Sequence, residues 1–228
     1  MSENNTSNIT LIACVVASMV TSSVIDWRGI DRFRPVFQPR GAAFSIWGLL
    51  FSISLLHGVL AFSREDAGLE ATEDIITWWT AVAYAFCALW PFAVANEFYK
   101  LAALVLISGA SSAWAATVTC ATYPMKDARS VTIALSPSLL AGWLTAAASI
   151  GVVFALGPDS RFNTMEMFLA VATVASVASI LLRAPGSAAA LTWAAFWAQP
   201  SPIVCNASSI ASLLISGISF VYAAASRA

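Results

Sequence analysis

The sequence has few charged residues and no excess of either sign. Asp, Glu, Lys and Arg together make up 10% of its 228 residues, against about 25% in soluble domains, while 59% of the residues are apolar. So few charges cannot cover the surface of a soluble domain, and a net charge of −1 offers no basic surface to a nucleic acid. The composition therefore excludes a soluble domain, a disordered chain and a nucleic-acid-binding protein, and it indicates an integral, multi-pass membrane protein.

Residues that carry catalysis or bind metals are also scarce. There is one histidine, His57, and no pair of carboxylates inside any apolar run, so we expect neither an enzyme nor a metal site. His57 is either a hydrogen-bonded or interfacial histidine, or an axial ligand to a haem-like ring. The cysteines, Cys14, Cys87, Cys120 and Cys205, form no CxxC pair and predict neither a zinc site nor a disulfide framework. No charged side chain falls at the centre of an apolar run, which argues against an ion-coupled carrier.

Long uncharged runs fill most of the chain. Crossing about 30 Å of hydrocarbon as a helix takes about 20 apolar residues, and these runs are continuous, whereas barrel strands alternate. The sequence therefore predicts an all-α, polytopic transmembrane helix bundle. The predicted helices cover about 8–25, 42–63, 75–96, 101–122, 131–156, 165–182 and 203–226. A shorter apolar piece, 187–199, is either a short eighth span or a re-entrant segment.

Tryptophan is the abundant special residue, with nine copies in the chain. At about 100° per residue, aromatic side chains of the second and fifth predicted helices fall on one face of each. Two such faces turned toward each other would line a pocket for a flat apolar ligand, although ordinary helix packing gives the same periodicity. The two stripes consist of Phe44, Trp47, Phe51 and Ser54, and of Ser136, Leu140, Trp143, Ala147 and Ile150.

Small residues recur every four positions in several predicted helices. Rows of this kind let helices approach closely and let hydroxyl groups bond across the contact. We interpret them mainly as contacts between helices within the bundle. A contact with a second copy of the chain, or with a partner in a membrane complex, is the secondary interpretation. The rows are Ser108, Ser112 and Ala116, then Gly142 and Ala146, then Ser208, Ser212 and Ser216.

Three motifs, in order and spacing, resemble the TspO/MBR family of tryptophan-rich sensory proteins, which is related to the mitochondrial translocator protein. The first is WRGIDRFRPVFQPRGAAFSIWGLLF at 27–51, with an aromatic-x-x-Trp motif entering the second helix. The others are Ala88-Leu89-Trp90 and SLLAGWLTAA at 138–147. The resemblance covers residues 8–156 and is closest to a longer branch with a C-terminal extension. The chain departs from the family at Ser136, where Pro is common, and at Ile150-Gly151, where Asn is common.

The resemblance implies an arrangement in three parts. Residues 1–7 would be a polar tail, residues 8–156 a TspO-like core of five transmembrane helices, and residues 157–228 a transmembrane extension with two or three extra helices. We expect the extension to pack on the outside of the bundle and to contribute little to its cavity, because the resemblance is complete without it. We also expect Trp47 and Trp143 to face the interior.

The resemblance further implies that a hydrophobic small molecule is bound in an intramembrane cavity and is sensed or translocated there. The ligand class is a tetrapyrrole, such as a porphyrin or haem, or a sterol-like compound, and membrane lipid is the other expected partner. The loop at 26–40 would cap the cavity, and it would do so on the cytoplasmic side because the loop contains four arginines. The alternative is a structural or accessory subunit of a larger membrane complex. Expected ligand-binding residues are Trp27, Phe37, Pro39, Phe44, Trp47, Phe51, Trp90, Leu140 and Trp143, with Arg32 and Arg34 at an anion-contacting rim or as simple membrane anchors.

Overall fold

A computed structural model describes residues 5–24, 41–63, 69–157 and 164–197. Within these ranges the chain is helical and contains no strand, so the predicted all-α bundle is confirmed. Five helices are long and apolar enough to cross a membrane. The elements are α1 (Thr6–Val24), a short 3₁₀ helix (Gly41–Ser45) that runs into α2 (Ile46–Leu60), α3 (Glu70–Ala95), α4 (Tyr99–Cys120), α5 (Ala128–Leu156), α6 (Thr164–Leu181) and α7 (Pro185–Trp197). The predicted helix at 203–226 lies outside the described residues.

Two helices begin earlier than their apolar runs predict. Helix α3 begins at Glu70, because Glu70 and Glu73 lie in its first turn, where the positive end of the helix dipole stabilises carboxylates. Helix α5 begins at Ala128, because Asp127 accepts a hydrogen bond from the Ser130 backbone N–H at 2.7 Å and the Asp127 N–H donates to the Ser130 hydroxyl. The bond from the Ser130 backbone N–H, a second bond from the Ser130 hydroxyl to the same carboxylate, and the nearby Arg129 cation hold the Asp127 pKa below its usual value.

Successive helices run antiparallel and give the bundle two distinct ends. One, here called the ion-pair end, holds the end of α2 and the beginnings of α3 and α5. Glu73 is buried there, and the Arg129 guanidinium donates to both of its carboxylate oxygens at 2.7 Å and to the Leu60 carbonyl at 3.1 Å. The Tyr123 hydroxyl also donates to Glu73. Burial and this bond to a carboxylate raise the Tyr123 pKa.

The opposite end, here called the pocket end, holds the end of α1, the 3₁₀ helix and the turn between α3 and α4. Helix α7 also ends there, since the Trp193 indole N–H donates to the Ala43 carbonyl at 2.9 Å. The segment 26–40, which the sequence predicts to be a lid, follows α1 in the chain and lies outside the described ranges.

Helix α5 is the central helix, and α7 packs directly against it. A Cβ on Gly142 would collide with the backbone of Ser187, and a Cβ on Gly186 would collide with the Ser138 hydroxyl, so the two helices touch through glycine. Leu191 and the alanines beside it on α7 are buried in the main core. Helix α7 therefore packs closely on α5, and the expectation that the C-terminal helices lie on the outside of the bundle stays a prediction. The described part of α7 has 13 residues, about 20 Å of helix.

Candidate functional site

The two sequence stripes of α2 and α5 do face each other. Ser54 and Ser136, one from each stripe, are both buried and their hydroxyl oxygens lie 2.9 Å apart. Tyr84 of α3 joins them, since its hydroxyl lies 2.8 Å from Ser54 and donates to the Leu50 carbonyl at 3.1 Å. Because a tyrosine hydroxyl has one proton, Ser54 donates to Tyr84, and Ser136 donates to Ser54. This chain of bonds ties α2, α3 and α5 together inside the bundle.

Toward the pocket end the same stripes form an aromatic cluster. Trp143 is buried at 3% exposure, and the rings of Phe44 and Trp47 meet it edge-on with centroids at 6.0 and 6.2 Å. Trp47 stacks on Phe51 at 5.2 Å, and Phe51 lies 6.1 Å from Tyr84. Edge-on and offset contacts of this kind stabilise each pair beyond the burial of its area. Trp47 and Trp143 therefore face the interior, as predicted.

A cavity of about 120 Å³ adjoins this cluster. Helices α3, α4 and α5 form most of its wall, and the 3₁₀ helix contributes one side chain. The lining is apolar apart from the tyrosine hydroxyl and the indole N–H groups. Its residues are Phe44, Trp90, Val94, Tyr99, Ala102, Leu106, Trp143, Ala146, Ala147, Ile150, Gly151 and Phe154. We call this cavity the aromatic pocket.

The residues expected from the sequence are distributed unevenly around the aromatic pocket. Phe44, Trp90 and Trp143 line it directly. Trp47 and Phe51 belong to the aromatic cluster behind Trp143, and Leu140 is fully buried in the core, so these three do not reach the described wall. The remaining expected residues lie outside the described ranges: Trp27, Arg32, Arg34, Phe37 and Pro39.

Several wall residues were not expected from the sequence. Tyr99, Ala102 and Leu106 come from the start of α4, and Phe154 comes from the end of α5, where its ring lies 6.3 Å from that of Tyr99. The spacing of these residues along α4 and α5 follows the period of a helix. Phe154 continues the stripe of Trp143 along α5, and the α4 residues are spaced three and four apart. Periodicity finds such faces but does not tell which neighbouring helix each face meets.

His57 lies away from the aromatic pocket. It is fully buried near the ion-pair end of α2, and its Nε2 lies 3.2 Å from the Thr77 hydroxyl. Its Nδ1 has no hydrogen-bond partner among the described residues. Of its two interpretations, the buried hydrogen-bonded histidine fits this position, whereas an axial ligand in the aromatic pocket does not. The described part of the chain brings no three His, Cys, Asp or Glu side chains together as a metal site.

The three free cysteines in the described ranges lie apart, and no disulfide joins them. Two further indoles are held by the protein itself, since Trp114 donates to the Thr145 hydroxyl at 2.9 Å and Trp193 to the Ala43 carbonyl. These two tryptophans have packing roles outside the pocket wall. Trp78 and Trp79 are about half-exposed near the start of α3, as an interfacial aromatic belt requires.

A family model described as TSPO-like protein matches residues 5–225. The matched range begins at the start of α1 and continues well past α7, so the likeness is not confined to residues 8–156, as the motifs alone indicated. No curated protein matches the chain, and no solved structure does.

Proposed function

Because this chain belongs to the TSPO-like protein family, we propose that it binds a hydrophobic small molecule of the tetrapyrrole or sterol class in the aromatic pocket and senses or translocates it. The observation that carries the proposal is the pocket itself, which is walled by Phe44, Trp90 and Trp143 inside an apolar bundle. Cavities lined by apolar and aromatic groups with few polar atoms are typical of small-molecule sites.

The wall chemistry favours a flat or rigid apolar ligand. Aromatic rings offer large contact area and lose little freedom on binding, so a ring system inserted beside Trp143 and Phe154 gains both burial and edge or face contacts. The described wall has no charged side chain and gives an ionic group no partner. Any carboxylate on the ligand therefore has to lie outside this wall.

The size of the pocket limits how much of the ligand it encloses. Sites for drug-sized ligands have volumes of about 300–1,000 Å³, and the aromatic pocket has about 120 Å³. It takes one ring or one edge of a tetrapyrrole or sterol. The rest of the ligand would lie toward the pocket end, where residues 25–40 join α1 to α2. Arg32 and Arg34 of that connection are the proposed partners for porphyrin propionates.

A titration with protoporphyrin tests the proposal. Binding is followed by the porphyrin absorbance band in purified protein, comparing the wild type with Trp143→Phe and with Ala147→Phe, which fills the pocket. We expect Trp143→Phe to weaken binding by about fivefold, corresponding to about 1 kcal/mol of lost aromatic contact, and Ala147→Phe to weaken it more. Trp114→Phe is the matched control, because it also removes one indole, a partly buried one, but lies outside the pocket.

A second pair of measurements separates the ligand classes. Replacing Arg32 and Arg34 with Gln should weaken binding of an anionic porphyrin, and the wild-type porphyrin affinity should fall with added salt. A neutral sterol should respond to Trp143→Phe and not to the arginine change or to salt. If neither ligand responds to Trp143→Phe or Ala147→Phe, the pocket is not the binding site and the accessory-subunit interpretation replaces this one.

A further inference from the structure

The aromatic pocket extends along α5 and has two distinct ends. Its α5 wall runs from Trp143 to Phe154, which is about 16 Å at about 1.5 Å per residue. The rings of Phe154 and Tyr99 lie 6.3 Å apart where α5 ends and α4 begins, at the pocket end of the bundle. Trp143 lies in the middle of α5. The pocket therefore has an outer end beside Tyr99 and an inner end beside Trp143.

The indole N–H of Trp143 is a hydrogen-bond donor that has no partner among the described residues. Two other indoles, those of Trp114 and Trp193, each donate to a protein oxygen at 2.9 Å. Trp143 is more deeply buried than either of them, at 3% exposure. Its nitrogen is nevertheless not one of the described side-chain atoms that are both unpaired and closed off from any surface. The N–H is therefore reached from the cavity that the Trp143 ring lines.

The wall of the pocket offers donors and few acceptors. An indole N–H donates and cannot accept, and the tyrosine hydroxyl, which can do both, lies at the outer end. Leu106, Ala146 and Ala147 add only hydrocarbon to the wall. A ligand donor at the inner end would find no side-chain acceptor in the described wall, and a hydrocarbon edge would leave the N–H buried and unpaired. Both cases cost binding free energy, whereas a ligand acceptor pairs with the N–H.

We propose that the aromatic pocket recognises a ring ketone of the sterol class, whose carbonyl oxygen accepts a hydrogen bond from the Trp143 indole N–H. This inference rests on the proposed function and narrows its ligand class. A ketone oxygen accepts, does not donate and carries no charge, so it suits a wall that has a donor and no charged side chain. The cavity of about 120 Å³ holds the ring that carries the ketone. A porphyrin presents no neutral carbonyl at the edge of its macrocycle, so the inner end favours the steroid skeleton.

The test compares two probes that differ only in the ketone oxygen, 5α-androstan-3-one and 5α-androstane. Both are labelled with tritium, and their binding to the full chain in a neutral detergent is measured by scintillation proximity. The two probes partition differently into micelles, but the partition of each is the same for every variant. The quantity compared between variants is therefore the ratio of the ketone affinity to the hydrocarbon affinity. A loss of packing that affects both probes cancels from this ratio.

Removing the indole N–H should lower this ratio about fivefold, since one neutral hydrogen bond contributes about that much to binding. We expect this result from Trp143→Phe and from Trp143→benzothienylalanine, in which sulfur replaces the N–H and the size of the ring system is kept. The second variant decides the question if the first folds poorly. Trp114→Phe is the matched control, because the N–H that it removes is held by Thr145, and it should leave the ratio unchanged. Tyr99→Phe removes the hydroxyl at the outer end and should also leave the ratio unchanged.

An unchanged ratio in both Trp143 variants would overturn the inference. A fall of the ratio in Tyr99→Phe alone would also overturn it, because the ketone would then lie at the outer end. If 5α-androstane binds and Ala147→Phe weakens its binding while the ratio ignores Trp143, the pocket remains the binding site and only the recognition of the carbonyl is refuted. Absence of saturable binding of either steroid would overturn the inference too, and the porphyrin titration would then decide whether the proposed function stands.

Discussion

The ion pair between Glu73 and Arg129 gives an asymmetric prediction about stability. The side chain of Glu73 is 4% exposed and that of Arg129 is 22% exposed. Water can therefore take the place of a lost partner more easily at Arg129 than at Glu73. Replacing either residue with Gln removes the paired hydrogen bonds at 2.7 Å and leaves the opposite charge behind. Removing one partner of a buried pair is costly mainly because of the charge that is left.

The magnitudes follow from what each remaining charge still contacts. In Arg129→Gln the carboxylate of Glu73 stays buried and keeps the Tyr123 hydroxyl, and we expect a loss of about 3–5 kcal/mol. In Glu73→Gln the guanidinium keeps the Leu60 carbonyl and reaches water, and we expect a loss of about 1.5–3 kcal/mol. Arg129 also lies in the first turn of α5, where a positive charge is unfavourable beside the positive end of the helix dipole. Once Glu73 no longer pairs with it, the guanidinium therefore stabilises the fold even less.

The assay is equilibrium unfolding in detergent micelles, followed by circular dichroism, for both single variants and the double variant. The double variant should lose less than the sum of the two single losses, because it leaves no buried charge. Arg129→Lys is the control, since it keeps the charge and loses the paired geometry, and it should fall between the wild type and Arg129→Gln. Equal losses in the two single variants, or additive losses in the double variant, would refute the reasoning that burial decides the cost.

Three further predictions concern the interior and the start of α5. Tyr84→Phe leaves the Leu50 carbonyl and Ser54 without their shared partner and should lower the unfolding free energy by about 1–2 kcal/mol in the same assay, with little change in helix content. Gly142→Ala should destabilise by about 1–3 kcal/mol because its Cβ meets the Ser187 backbone, whereas Gly48→Ala, with open space around it, should not destabilise. Because the Asp127 pKa is lowered in the folded protein, its contribution is present above the usual carboxyl pKa and is lost as the pH falls through the lowered value. The melting temperature of Asp127→Asn should therefore depend less on acid than that of the wild type.

The sequence predicts the helices well and their ends less well. Uncharged runs locate α1 to α6 to within a few residues, because a membrane span must be continuous and apolar. The starts of α3 and α5 are missed by several residues, because Glu73 and Arg129 are charged residues that the bundle buries as a pair. A helix predicted from a run of uncharged residues begins after Glu73 or Arg129. The run does not show that these two charges neutralise each other across two helices.

The sequence predicts only part of the candidate site, because contacts between helices again decide the rest. Helical periodicity on α5 correctly indicates that Trp143 turns inward, and the Ser54–Ser136 bond confirms that the predicted faces of α2 and α5 meet. The contribution of α4 through Tyr99 and Leu106 was missed, because periodicity on one helix does not specify its neighbours. The role of α7 was missed because it is apolar all round and rich in alanine, so it has no polar face to indicate which side is buried.

Helix α7 nevertheless takes part in building the pocket, although it lines none of the described wall. Its Trp193 holds the Ala43 carbonyl, and the next residue, Phe44, is a pocket wall. Its Ser187 backbone lies against Gly142, and the next residue, Trp143, is the opposite wall. The described part of α7 thus braces both members of the edge-on aromatic pair, and a shift of α7 would change their spacing. Because the family match continues through α7, the helix belongs to the matched unit, and the aromatic pocket depends on six described helical elements: the 3₁₀ helix and α2 that follows it, α3, α4, α5 and the bracing α7.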